Sequence, residues 1–142
     1  MPRRRPGAVR AHRPWPRSSV PGTQVPRVSA RTRAAVRRVE LERPHLGLGD
    51  TALALARYRA FVRQPGRLQA AECPCPGCDL FDSRNLLQEV LEALPQGARV
   101  DLERIVTPLD EVFERRTVHD PGLARWSPWA AEYWWRQRSR ER

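Results

Sequence analysis

Six prolines fall within the first 28 residues, at positions 2, 6, 14, 16, 21 and 26, and they restrict this chain more than any other feature. Each proline fixes φ and removes a backbone donor, so no regular helix or sheet ladder can run through the segment. Between them lie Arg, Ser and Gly with few large apolar side chains. Such a composition cannot bury enough surface to offset chain entropy. Residues 1–28 are therefore expected to form a disordered Arg/Pro-rich arm, and residues 29–142 a single domain. A chain of 142 residues supports one such core and is too short for two.

Charge divides the chain in much the same place. Residues 1–43 hold twelve arginines against two glutamates, whereas residues 44–142 hold fourteen arginines against fourteen carboxylates. The formal net charge of +10 thus resides on the N-terminal third. All 26 basic residues are arginine. Coding bias in a GC-rich genome accounts for arginine in place of lysine, but not for the uneven placement. A basic arm on a neutral domain favours an anionic partner, either nucleic acid or an acidic protein. Arg3, Arg4, Arg5, Arg10, Arg13 and Arg17 are candidates for phosphate contact without sequence preference. Arg31, Arg33, Arg37 and Arg38 would continue that contact. The plainer alternative is a solvated tail that keeps the protein soluble.

No run approaches the roughly 18 apolar residues of a membrane helix. The N-terminus has charges but no apolar core of a secretory signal. A cytoplasmic protein without a membrane partner is expected, and there thiols stay reduced.

Beyond the arm, apolar spacing predicts helices. Residues 29–43 can form one, capped by Ser29 or Thr32 and stopped by Pro44, with a thin apolar face of Ala35, Val36 and Val39. Residues 50–64 read more firmly as a helix, with Asp50 as N-cap and Leu55, Tyr58, Phe61 and Val62 on one face, whereas Leu53 falls outside it. Leu86, Leu87, Val90, Leu91 and Leu94 mark a third helix, capped by Asp82 or Ser83. Leu102, Ile105, Val106, Leu109, Val112 and Phe113 continue the pattern over residues 98–117. Thr107-Pro108 within that stripe looks like a fresh helix start, so a kinked helix or two short helices are expected there. A final helix is expected from Ser127 and Pro128. No segment shows sustained strand alternation. The expected fold is mainly α, a small irregular bundle of four to five short helices.

All three cysteines lie in the stretch "ECPCPGCDL", at 73, 75 and 78, inside a loop spanning residues 65–82. Cys75-Pro-Gly-Cys78 resembles one knuckle of a zinc-ribbon protein, a likeness confined to that tetrapeptide. A structural Zn site usually needs four ligands. Cys73, Cys75 and Cys78 supply three, and the fourth would come from His45, His119, Asp79 or a second chain. No second C-x-x-C exists. The same spacing also fits thiol–disulfide exchange, although a thioredoxin-like β-α-β setting is missing. A third reading makes the loop a proline-stiffened connector with its cysteines acting as small apolar residues.

Four of the five tryptophans lie within residues 126–135. Their bland role is to close the core of a domain poor in other aromatics. On a helical wheel Trp126, Trp129, Tyr133 and Trp134 share an arc, and Trp135 points elsewhere as the candidate docking surface. Enzyme signatures are absent: no G-x-S-x-G, no glycine-rich phosphate loop and no H-E-x-x-H. Glu89, Glu92, Glu103, Asp110, Glu111 and Glu114 fall opposite the apolar stripes and read as solvated faces. The leading expectation is a non-enzymatic interaction protein, with the arm on an anionic partner and the helical domain as docking surface. The alternative is a metal-binding or thiol-redox protein acting through the three cysteines.

Overall fold

The computed structural model describes residues 24–66, 68, 80–126 and 132–140. Four helices make up most of it: α1 (Ala30–Glu42), α2 (Asp50–Val62), α3 (Leu80–Ala93) and α4 (Gln96–Arg115). After them come strand β1 (Thr117–His119), the single turn α5 (Leu123–Trp126), a 3-10 turn (Trp134–Gln137) and strand β2 (Arg138–Arg140). The mainly α class is as expected from the sequence.

The helices pack round one core because their apolar stripes converge. Leu55 and Val62 of α2, Leu87 and Val90 of α3, and Leu102 and Val106 of α4 are the most deeply buried large side chains. The longest helix, α4, touches α1, α2 and α3. Val36 and Val39 bring α1 onto the same core. Val25 and Val28 belong to it too, at 3% and 6% exposure. The packed domain therefore takes in residues that the proline pattern had assigned to the arm. Pro26 sits between the two valines, and an irregular backbone there still buries both.

Helix α4 runs unbroken through Pro108, so the expectation of two short helices is not met. Proline removes the hydrogen bond to the Arg104 carbonyl. Both residues lie on the exposed side of the helix, where water can replace it. Leu102, Val106, Leu109 and Phe113 hold the two halves on one core. At its start, Arg99 closes the preceding helix: its guanidinium donates to the carbonyls of Leu91 at 2.9 Å and Glu92 at 3.1 Å. These are the unpaired acceptors of a helix C-terminus.

Ser29 caps α1 as the sequence suggested, its Oγ accepting from Thr32 N at 3.1 Å. The start of α2 is different. Gly49, at φ 92°, occupies the N-cap and makes no side-chain cap bond. The cap comes from α1 instead. The Glu40 carboxylate, 5% exposed, accepts from Gly49 N at 3.0 Å and Thr51 N at 2.9 Å. Asp50, expected as the cap, is the first helical residue and accepts from Gly47 N at 2.7 Å. A carboxylate at a helix N-terminus satisfies free donors and opposes the helix dipole.

The C-terminal segment departs from the helical expectation. Strands β1 and β2 pair antiparallel, Thr117 with Arg140 and His119 with Arg138. Strands of three residues are too short to leave a readable alternation. Arg138 ties the pair to α4, its Nε donating to Thr117 Oγ1 at 2.7 Å and its Nη2 to the Glu114 carbonyl at 2.9 Å. Residues 127–131, where the final helix was to begin, lie outside the described residues.

Glu40 gives this fold a testable joint. Glu40→Gln keeps the shape and loses the charge on two amide donors. It should destabilise the protein by about 1–2 kcal/mol. Urea unfolding followed by far-UV circular dichroism reads the shift, with the m-value unchanged.

Candidate functional site

Helix α1 carries four of the described arginines of the basic segment, Arg31, Arg33, Arg37 and Arg38. Thr32, Val36, Val39 and Glu40 turn inward. That places Arg31, Arg37 and Arg38 outward, all three exposed. No ion pair engages them among the described residues. Arg33 is half-buried and donates to the Val28 carbonyl at 2.8 Å, so it holds the entry to the helix. Arg3, Arg4, Arg5, Arg10, Arg13 and Arg17 lie outside the described residues.

Beside the arginines, α1 and the first half of α4 enclose a groove of about 520 Å³. Arg31, Ala34, Ala35 and Arg38 line one wall, and Gly97, Val100, Asp101 and Arg104 line the other. Each set has the i, i+3, i+4, i+7 spacing of a single helix face. Both faces lie next to the core stripe of their helix, not on it. Asp101 spans the N-terminal end of the groove, accepting from Ser29 N at 2.9 Å and Thr32 Oγ1 at 2.7 Å. Those hydrogen bonds, the Ser29 amide first, hold its carboxyl below the usual carboxylate range.

A second polar cluster lies inside the protein. Arg84 of α3 donates to Asp110 of α4 through Nε at 2.8 Å and Nη2 at 2.9 Å. Their side chains are only 6% and 17% exposed. Tyr58 of α2 donates to the same carboxylate at 2.7 Å. Burial, and then the neighbouring Asp110 charge, keep the Tyr58 phenol protonated far above its ordinary range. The Arg84 guanidinium also stacks 4.0 Å from the Trp135 ring centroid. With its hydrogen bonds satisfied internally, this cluster is built to hold elements together rather than to exchange protons.

Trp135 is therefore a core residue and not a docking surface. It is 3% exposed, donates from Nε1 to Asn85 Oδ1 at 2.9 Å and stacks on Tyr133 at 4.7 Å. The wheel reading failed because the chain is extended at Tyr133 and then enters a 3-10 turn. Angles drawn for a continuous α-helix do not apply there. Asp110 is likewise not on a solvated face. Tyr and Trp usually find a polar partner when buried, which is the one hint the sequence held. Nothing in its spacing identified Asp110 as that partner.

Of the candidate fourth metal ligands, His45 and His119 lie in different elements, each beside another partner. His45 lies at the α1–α2 turn with Nε2 2.9 Å from Glu89. His119 lies in β1, 3.3 Å from Gln137. Cys73, Cys75, Cys78 and Asp79 lie outside the described residues. Among the described residues no three His, Cys, Asp or Glu side chains converge as a metal site. No helix among them is long and apolar enough to cross a membrane.

No protein-family model matches the chain, no curated protein matches its sequence and no solved structure matches its fold.

Two outcomes test this geometry. Asp110→Leu strands the buried Arg84 charge and should cost about 3–5 kcal/mol, whereas the double variant R84M/D110L should cost clearly less than the separate D110L and R84M losses added. Urea denaturation of the four proteins measures this coupling. The second concerns Asp101. A carboxylate with a depressed folded pKa contributes stability above its unfolded value of about 4, and that stability disappears as pH falls through the folded value. The stability gap between the native protein and Asp101→Asn should therefore be full at neutral pH and close in acid, as read from urea midpoints along a pH series.

Proposed function

We propose that this is a non-enzymatic interaction protein that holds an anionic partner, nucleic acid or acidic protein, through its basic arm and the outward arginines of α1. The helical domain supplies the docking surface. One observation carries this reading: Arg31, Arg37 and Arg38 stand exposed without an ion pair among the described residues, while Glu40 of the same helix is turned inward onto α2. Residues 44–142 are neutral by count, yet α1 presents a locally basic face. The arm enters through Val25 and Val28 directly before that helix, so its six further arginines extend the same charged region along the chain. A cytoplasmic setting accords with a chain whose three thiols form no even set for a disulfide framework.

The test is binding of a labelled single-stranded oligonucleotide and a labelled acidic peptide, followed by fluorescence anisotropy across a salt series. Affinity should fall steeply with salt. For the oligonucleotide, the log–log slope should shrink by about 0.7 for each phosphate contact removed. The informative truncation removes residues 1–23 and spares the buried Val25 and Val28. Absence of binding to both probes at low salt, or binding indifferent to salt, would overturn the proposal.

A further inference from the structure

The groove between α1 and α4 combines charged and small apolar side chains. Ala34, Ala35, Ala98 and Val100 line it together with Arg31, Arg38, Arg104 and Asp101. Arg31 and Arg38 are two helical turns apart, a rise of about 10 Å along the axis. The volume of about 520 Å³ suits a few side chains and falls within the range of small recognition pockets, ~300–1,000 Å³.

These features discriminate among occupants. The chain's own arm is unsuited, since residues 1–23 hold six arginines and no carboxylate. A nucleic-acid strand fits poorly, because its backbone has nothing to place against the small apolar side chains of the lining. Sequence-tolerant binding of single strands also relies on aromatic stacking platforms. No aromatic side chain lines this groove. An amphipathic acidic helix meets both requirements. Carboxylates seven residues apart would face Arg31 and Arg38, and apolar side chains between them would enter over Ala34 and Ala35. This is the helix-in-groove mode of peptide recognition.

We propose that the α1–α4 groove is a docking site for an acidic amphipathic helical segment of a partner protein. This rests on the reading that α1 contacts an anionic partner, and narrows it to one partner class and one place. Asp101 has a positioning role, because its bonds to Ser29 and Thr32 fix the end of α1 that presents Arg31.

The experiment uses the full chain and two fluorescein-labelled probes: a short helical peptide with glutamates seven residues apart and leucines between them, and a single-stranded oligonucleotide of similar charge. Arg31 and Arg38 are exposed and unpaired among the described residues, so R31E/R38E should fold normally by circular dichroism. Its peptide affinity should drop at least about tenfold. Ala34→Met changes no charge and adds bulk to the groove lining, and peptide affinity should drop by a similar factor. Oligonucleotide affinity should be unchanged by Ala34→Met. If that variant leaves peptide binding intact, the groove is not the docking site. If the oligonucleotide binds and the peptide does not, the inference falls while the anionic-partner reading stands. Absence of binding to both probes removes both. A dimer of the protein alone, dissolved by Ala34→Met in analytical ultracentrifugation, would instead make a second copy the occupant and overturn the proposal.

Discussion

Arg84 and Asp110 join α3 to α4 through two charge-assisted hydrogen bonds, largely out of water. Withdrawing two charges from solvent is costly, and only good geometry with further hydrogen bonds offsets it. Here the further partners come from separate parts of the chain. Tyr58 adds α2, and the Trp135 ring covers the guanidinium from the C-terminal segment. Leucine and valine contacts elsewhere tolerate small shifts, because hydrophobic attraction is not directional. A bidentate pair does not tolerate them. The positions of α2, α3, α4 and the 3-10 turn are thus linked through one carboxylate and one guanidinium.

The same use of carboxylates shapes the surface. Glu40 caps α2, Asp101 fixes the start of α1, Asp110 pairs with Arg84, and Glu89 faces His45 and Arg43. Each of these acids is engaged inside the domain or along its seams. Arginines have fewer such assignments on α1, where three of them meet solvent. A near balance of formal charge over residues 44–142 therefore coexists with a basic face on the neighbouring helix. The basic character is local because Glu40 of α1 is turned inward onto α2 and Asp101 opposite accepts from Ser29 and Thr32.

What the sequence made legible was whatever depended on periodic burial. The stripes Leu55–Val62, Leu87–Leu94 and Leu102–Phe113 located α2, α3 and α4, and all of those named side chains lie in the core. Capping from outside the local window was not legible. Glu40 and Asp110 sit beside the apolar stripes, and a helical wheel treats such acids as solvated. Their partners are 11 and 26 residues away, and one chain without tertiary geometry does not specify them. Val25 and Val28 were hidden among prolines, since isolated apolar residues carry no period. Trp135 was misplaced because the wheel assumed a helix where the backbone extends at Tyr133. The groove left a fainter trace: Ala34 and Ala35 between Arg31 and Arg38 break an otherwise charged face with small side chains.

The position of that groove connects the two basic parts of the protein. Ser29 lines it and also caps α1, while Val25 and Val28 anchor the chain just upstream. The arm's attachment point is therefore close to the end of the groove at which Arg31 stands. A segment held in the groove would find the arm's arginines tethered nearby, so their encounter becomes intramolecular and proceeds at a raised effective concentration. On the proposed reading neither part would need high affinity alone: the groove would supply selectivity through its small apolar side chains and the spacing of Arg31 and Arg38, and the arm would supply long-range attraction that falls away with salt. That division of labour would depend on Val25 and Val28, which are buried in the core just upstream of α1.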